Sequence, residues 1–285
     1  MTLRWLLRAA WRACALPVLL VAPRPASAQL RPLDPMDWRA FDPGTRVLAQ
    51  LGGGIFFHQR ASIGQIAGRL VEAPGAILSW TTGDAGRVAL RAVIHPLRVF
   101  RVDSRFGVPL PNTTQLASPI VDAGDNALET VLRLTPARAT AGSLLALRWG
   151  VRLSTHNERK GMDRHKTDFY ATLGGRLVRG DLTLAGEGGL GVYGTQAPGH
   201  DKALPVLYDA GARWRLGAFE PSLTLVGQAA PTPIRGNEDL SELRAGLRFG
   251  HARFLEMTVI RGLAAYGPHW GLALAVGGPA LAVGR

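Results

Sequence analysis

Cysteine is almost absent from this chain. Cys14 is the single cysteine among 285 residues. It lies in an N-terminal stretch that we predict to be removed, so the mature chain is expected to have no disulfide, no cysteine metal site and no thiol nucleophile. Long apolar runs are missing as well. No later stretch holds the roughly 18 consecutive apolar residues of a helical membrane span, so any membrane crossing is predicted to use strands.

Acidic residues are also few: 21 carboxylates stand against 33 lysines and arginines, and the formal net charge is +12. The basic residues are spread along the chain and do not form a patch with interleaved aromatic side chains. A nucleic-acid surface is therefore not expected.

The N-terminus has the pattern of a secretory signal peptide over residues 1–28. A basic region is followed by a short apolar core and by a small-residue cleavage site, Ala26-Ser27-Ala28. The basic residues are Arg4, Arg8 and Arg12. We predict residues 29–45, which are rich in proline, to be a periplasmic N-terminal lead-in. Residues 46–285 form the remaining domain.

Apolar and polar residues alternate most regularly between residues 143 and 195, in three consecutive segments. Successive side chains of a strand point to opposite faces, so each segment predicts a β-strand with one apolar and one polar face. In the first segment one parity holds Leu145, Leu147, Trp149, Val151 and Leu153. The opposite parity holds Arg148, Arg152 and His156.

The same alternation recurs along the chain and predicts about twelve strands, whose connections alternate between long and short. The longest predicted loop covers residues 103–126. At Pro96 the apolar parity slips by one residue, which predicts a bulge. Alternating long loops and short turns are the pattern of an outer-membrane barrel, whose short turns face the periplasm.

The polar face is predicted to line the interior. A soluble barrel of about twelve strands would enclose a lumen too wide for side chains to fill. The polar parity carries arginines with carboxylates on neighbouring strands, which suits confined ion pairing. We therefore predict an all-β fold, a closed antiparallel transmembrane up-and-down β-barrel of about 12 strands in contact with outer-membrane lipid. The lumen and selectivity candidates are Arg91, Arg133, Arg148, Arg152, Arg176, Glu187, Asp209, Arg213, Arg244 and Arg248.

Two stretches carry a resemblance to a known group of proteins. Residues 147–153 read LRWGVRL, and residues 182–191 read LTLAGEGGLG. Between them lie Gly161, Asp163 and Thr167-Asp168-Phe169. The run from about residue 46 to residue 283 resembles bacterial outer-membrane barrels of the phenol meta-pathway (MetA-like) transporter type. The resemblance implies passage or binding of a small-molecule solute, no catalytic residue and no cofactor. It also implies membrane insertion by the barrel insertion machinery, although this chain ends Ala282-Val283-Gly284-Arg285 without the usual terminal aromatic residue.

The leading functional hypothesis is a channel or transporter for small solutes, with an anion preference set by the arginines of the lumen. One alternative is a barrel with a plugged lumen, whose loops carry a structural or binding role. A third is an outer-membrane lipid hydrolase that uses Ser154, His156 and Asp168, although neighbouring polar residues on one face are what any barrel interior supplies. We therefore predict that the protein is not an enzyme.

Metal sites are not predicted. His156, Asp163 and His165 lie close together in the sequence, but loop histidines without fixed spacing are usually solvated. Residues 122–126 and 237–239 are acidic loop clusters, where ordinary turn chemistry is favoured over calcium.

Overall fold

The structure is a computed structural model. It describes residues 30–42, 47–82, 87–136, 142–153, 155–163, 166–195, 199, 201–231 and 234–279. The predicted signal peptide lies outside the described residues, as do Ser154, His165 and the last residues of the chain. Among the described residues no helix has the length and hydropathy of a membrane span.

Strands are the main regular structure of the described chain, at 64% of its residues, because the alternating apolar and polar side chains suit a sheet with two different faces. In order they are β1 (Val47–Ala61), β2 (Ile66–Thr81), β3 (Val88–Ile94), β4 (Arg98–Arg105), β5 (Ile120–Asp122), β6 (Asn126–Arg133), β7 (Ser143–Leu153), β8 (Asp168–Arg179), β9 (Leu182–Gly194), β10 (Lys202–Ala203), β11 (Val206–Trp214), β12 (Phe219–Ala229), β13 (Leu240–Phe249), β14 (Phe254–Gly262) and β15 (Trp270–Pro279). Two 3₁₀ turns, Trp38–Phe41 and Glu158–Lys160, accompany them.

The sheet closes on itself. Every neighbouring pair is antiparallel, and β1 pairs with both β2 and β15. Three wall strands are built from two pieces each, namely β3 with β4, β5 with β6, and β10 with β11. The result is a closed antiparallel barrel of 12 strands, which confirms the predicted fold class.

The predicted irregularity at Pro96 separates β3 from β4. Both pieces pair with β2, so the chain resumes the same wall strand after residues 95–97. Proline interrupts a ladder because it has no N–H to donate. The predicted loop of residues 103–126 is too long: β4 continues to Arg105, and β5 adds a short strand before β6.

Side chains sort by face as predicted. Phe169 and Leu190 point outward and are 59% and 61% exposed. Arg148 and Glu129 point inward and are 2% and 4% exposed. An apolar exterior around a charged interior is the arrangement of a membrane-spanning barrel, because the hydrocarbon of the bilayer offers no hydrogen-bond partners to polar side chains.

The two ends of the barrel differ. At one end β8 joins β9 and β11 joins β12 through tight turns with Gly180 and Gly217 at positive φ, a conformation that glycine adopts without strain. We name this the short-turn end. Most connections at the other end, the long-loop end, are longer, and they cover residues 106–119, 154–167, 195–201, 230–239 and 263–269. The β1–β2 connection, residues 62–65, is the short exception at that end.

The predicted periplasmic lead-in lies in a different place from the one expected. Residues 30–42, which we name the lumen segment, run inside the barrel from the long-loop end to the short-turn end. Leu30 packs in a cluster with Phe56 and Met162, and Trp38 packs with Leu144 and Ala146. The apolar side chains of this segment are buried by the wall, and its charges meet partners there, so the interior is favoured over water for both.

Candidate functional site: the occupied lumen

The lumen segment is anchored near the short-turn end by apolar contacts. Its Met36, Trp38, Ala40 and Phe41 are all buried against inward-facing residues of β3, β6 and β7. Gly174 on β8 makes room for the indole, because a Cβ there would lie 3.1 Å from Trp38 Cζ2. Burying side chains of this size contributes about 1.5–3 kcal/mol each.

Ion pairs hold the segment at mid-height. The guanidinium of Arg31 donates to both carboxylate oxygens of Glu242, at 3.2 and 3.0 Å, and to Glu72 at 3.1 Å. Asp34 accepts from Arg244 at 2.8 Å. Each of these acids or bases on the wall is itself paired: Glu72 with Arg98 at 2.7 Å, and Glu242 with Arg244 at 2.9 Å. The segment is therefore a member of one continuous charge network.

The deepest part of that network surrounds Arg148, which is 2% exposed. Its guanidinium donates to Glu187 at 2.7 Å and lies 3.5 Å from a Glu129 oxygen. It also donates to the carbonyl oxygen of Asp34 at 2.8 Å. Glu187 accepts in turn from the backbone N–H of Met36 at 2.9 Å. Arg148 and Glu187 thus each form a hydrogen bond to the lumen segment as well as to each other.

The predicted lumen residues share the inward face but not one role. Arg91 pairs with Glu129 at 2.8 Å, Arg152 with Asp168 at 3.0 Å, and Arg176 with Asp42 of the lumen segment at 2.6 Å. These arginines are neutralised by carboxylate partners, of which Glu129 and Asp168 are buried, so they do not form a free ring of positive charge.

Two other predicted residues, Arg133 and Asp209, lie in different settings. Arg133, at the short-turn end, donates to Thr135 and to the carbonyl oxygen of Pro136. Asp209 lies directly opposite Glu187 in register, so two carboxylates face each other there. Sequence patterning places such residues on the right face but does not identify their partners.

A cavity of about 810 Å³ remains beside the lumen segment. It is open toward the short-turn end, since Gly180, Asp181, Arg215 and His251 line it there. Among the described residues that line it, arginines and carboxylates are equal in number. Their exposure differs, however. Arg213 and Arg215 are 32% and 62% exposed, whereas the carboxylate that both approach, Glu220, is 10% exposed.

The long-loop end is closed by apolar side chains. Leu30 of the lumen segment, Phe56, Ile66, Phe100 and Met162 are all fully buried in one cluster. Loop residues complete the closure: the N–H of Gly64 donates to the carbonyl oxygen of Gly161 at 2.9 Å. Water therefore reaches the lumen from the short-turn side in this state.

One titratable cluster lies among the loops. His156 Nε2 is 2.8 Å from Asp125 Oδ1 and 3.4 Å from Asp163 Oδ2. Burial acts to lower the pKa of His156, but the charges of Asp163 and Asp125 outweigh it, and the pKa lies above the usual value. The imidazolium thus clamps the β7–β8 loop to the barrel rim. Of the three metal ligands weighed in the sequence, the structure brings His156 and Asp163 together and adds Asp125.

The hydrolase arrangement does not assemble from the described residues. Asp168 accepts from Arg152 and from the N–H of Gly194, while His156 is engaged by Asp125. Gly186 to Gly191, which superficially resemble a phosphate loop, lie within β9. There Gly191 leaves space for the ring of Tyr193, 2.5 Å from where a Cβ would stand.

The sequence reasoning missed the charged residues of the lumen segment and two wall partners. The missed residues are Arg31, Asp34, Asp37, Arg39, Asp42, Glu72 and Arg98. A signal was present: residues 31–42 hold two arginines and three aspartates around Met, Trp and Phe, a composition unlike a solvated linker.

The fold and the lumen together define an outer-membrane-type β-barrel, because the wall is closed, its outside is apolar and its inside is charged. Similarity to solved structures agrees with this class. No family model matches the chain, and no curated protein matches it.

Among solved structures, the chain is similar to the COG4313 outer membrane channel from Pseudomonas putida F1, with a TM-score of 0.56 and 14% identity over 86% of this chain and 98% of that one. A more distant match is the Pseudomonas putida toluene transporter TodX, with a TM-score of 0.42 and 8% identity over 88% of this chain and 95% of that one. Another is the translocator domain of the autotransporter NalP from Neisseria meningitidis, with a TM-score of 0.43 and 14% identity over 83% of this chain and 88% of that one. At these identities the likeness concerns the fold.

Proposed function

We propose that this barrel is an outer-membrane channel for small solutes whose lumen is occupied at rest by its own N-terminal segment. Passage requires residues 30–42 to shift away from the β2–β13 side of the wall. Membership of the phenol meta-pathway group of transporter barrels is part of the proposal, and so is a small organic molecule as the solute.

The carrying observation is the chemistry of the occupied interior. A barrel with a purely structural role gains nothing from burying charges, since a buried ion pair is at best slightly better than an apolar contact. Here the lumen segment has apolar contacts toward its two ends, and ion pairs and single hydrogen bonds hold the rest, including Arg31 with Glu242 and Asp42 with Arg176. Such contacts are exchanged for water at little cost when the segment moves. The cavity of about 810 Å³ beside it gives the segment space into which it can move.

A weak anion preference belongs to the same proposal, and we assign it to the cavity mouth. The deep arginines are paired, so the guanidinium groups that a solute meets first are those of Arg213 and Arg215. Glu220 and Glu256 lie behind them and are less exposed. A solute therefore approaches cations that partly screen buried carboxylates, which favours anions electrostatically.

Planar-bilayer recording of the purified chain tests the proposal. We expect rare openings, with a reversal potential in a KCl gradient that indicates chloride preference. Arg213→Gln with Arg215→Gln should move the reversal potential toward cations, whereas Arg133→Gln, which removes one charge elsewhere on the inward face, should move it less. A cation-preferring wild type would contradict the anion assignment while leaving the channel itself intact.

The closed structural barrel is the second candidate, and the apolar closure at the long-loop end favours it. It predicts no conductance in the wild type and none in any variant that releases the lumen segment. Liposomes containing such a variant would then fail to swell in small solutes.

A further inference from the structure

The outward face of the barrel carries an opposed pair of arginines near the long-loop end. Arg69 on β2 and Arg101 on β4 lie directly opposite each other in register. Their neighbours along each strand, Leu70 and Phe100, are buried inside, so both guanidinium groups point outward. Directly opposed residues of adjacent strands have Cβ atoms about 4.5–5.5 Å apart, and like charges at that separation are destabilising. Arg69 approaches one acid, Asp103, at 3.8 Å, and both side chains are more than two-fifths exposed, so the pair compensates little.

More arginines extend this cationic arc along the rim. Arg60 on β1 and Arg261 on β14 are exposed on the outward side, and Arg105, beyond a bulge at the end of β4, is exposed at the rim. Arg60 lies over the ring of Phe106 at 5.3 Å, and Arg261 donates to the carbonyl oxygen of His269 at 2.9 Å. On the described parts of β14, β15, β1, β2 and β4, Asp103 is the one outward-facing acid at this level. The arc therefore has a strong excess of positive charge.

Depth along the barrel identifies the surroundings of the arc. Phe57 and Trp270 stack with ring centroids 4.1 Å apart, and Trp270 is in register with Arg261. Aromatic side chains of this kind mark the boundary between hydrocarbon and headgroups. Arg69 lies at the height of Phe57, because its neighbour Leu70 pairs with Phe56. Since long loops face outward in outer-membrane barrels, these arginines meet the headgroups of the outer leaflet.

The opposite side of the barrel provides an internal comparison. The outward positions at the same end of β7, β8, β9 and β11 are apolar and exposed: Leu153, Phe169, Val192 and Val206. A cationic rim is therefore not a general property of this end. It is confined to one arc of adjacent strands.

We propose that this arc, Arg60, Arg69, Arg101, Arg105 and Arg261, binds the phosphate groups of lipid A in the outer leaflet. A guanidinium group donates two parallel hydrogen bonds to phosphate, and an anion placed between Arg69 and Arg101 turns their repulsion into attraction to a shared partner. Lipid A carries two phosphates across its disaccharide, and its acyl chains lie along the apolar wall below. A single lipid thus supplies anions for the arc and acyl chains for the apolar surface beneath it.

Native mass spectrometry of the purified full-length protein in a nonionic detergent tests this assignment. The probe is bisphosphorylated lipid A, titrated against the wild type, Arg69→Gln/Arg101→Gln, and the charge-matched control Arg179→Gln/Arg253→Gln at the short-turn end. We expect wild type and control to bind alike, and the Arg69/Arg101 variant to bind at least about tenfold more weakly. Unboiled gel migration checks that each variant is folded, and Arg101→Gln alone serves if the double variant is not.

Three results would overturn the proposal. The first is unchanged lipid A binding by the Arg69/Arg101 variant, and the second is an equal loss in the control. The third is displacement of the lipid by millimolar inorganic phosphate, or equal affinity for phosphatidylglycerol. Displacement would assign the arc to free phosphate, and equal affinity would make it a surface for any anionic lipid.

Discussion

Arg31→Gln is expected to release the lumen segment partially and to raise the open probability of the proposed channel. The side chain donates three hydrogen bonds, two to Glu242 and one to Glu72, and all three groups are largely buried. Both carboxylates keep a second cation after the change, Arg244 for Glu242 and Arg98 for Glu72. The segment also keeps its contacts through Asp34 and Asp42, so it should be weakened and not expelled.

The magnitude follows from the bonds that are lost. Charge-assisted hydrogen bonds contribute about 1.5–3 kcal/mol each when a partner is left unsatisfied, but the remaining cations reduce the loss here. We estimate that the inserted state is destabilised by about 2 kcal/mol relative to the displaced state. At 1.4 kcal/mol per factor of ten, the ratio of displaced to inserted segment rises roughly thirtyfold.

Single-channel recording at fixed voltage measures this ratio as open probability. Arg133→Gln is the matched control, because it removes an inward-facing guanidinium whose described partners, Thr135 and Pro136, are outside the lumen segment. The reasoning is refuted if Arg31→Gln opens no more often than the wild type. It is equally refuted if the control opens as often as Arg31→Gln.

Other perturbations give further tests. Arg148→Met should destabilise the barrel by about 3–5 kcal/mol, because it removes the described cation partner of the buried Glu187, whereas Glu129 keeps Arg91. The temperature at which unboiled gel migration is lost should fall, and an unchanged temperature would contradict the network. The His156 clamp has a raised pKa, so its stabilisation is complete below about pH 6.5 and is lost as pH rises through the folded-state pKa. Trypsin cleavage after Arg159 or Lys160, normalised to a peptide substrate, should therefore increase at alkaline pH in the wild type. In His156→Gln it should be elevated at all pH values, and a flat wild-type profile would refute the clamp.

The barrel was predictable because its main determinant is local. Alternation with period two shows directly which side chains share a face of the sheet. Because one face is apolar and the other charged, the apolar face is expected to contact lipid and the charged face to line the lumen. Leu145 to Leu153 and Arg148 to Arg152 sort onto the expected faces without any information from other strands. The interruption at Pro96 was equally local, since proline removes a ladder donor wherever it stands.

The contents of the lumen were less predictable, because they depend on contacts distant in sequence. Arg31 meets Glu242, and Met36 meets Glu187, across separations of 211 and 151 residues. The composition of residues 31–42 is unlike that of a solvated linker, but it does not identify the wall residues that the segment meets. The same holds for the partner of Arg152, since pairing with Asp168 depends on the register between β7 and β8.

The lumen segment comes before β1 in the chain, while the wall is completed only where β1 joins β15. The order of assembly is therefore constrained by topology. Either the segment enters while the seam between first and last strands is still open, or it threads later through a finished cylinder. The segment donates to or accepts from Arg148 on β7, Glu187 on β9 and Glu242 on β13, which are buried charged groups. Closing the seam over these groups costs less free energy when the hydrogen bonds from the segment are already made. An occupied interior is accordingly a condition of building this barrel, and emptying it is a later event.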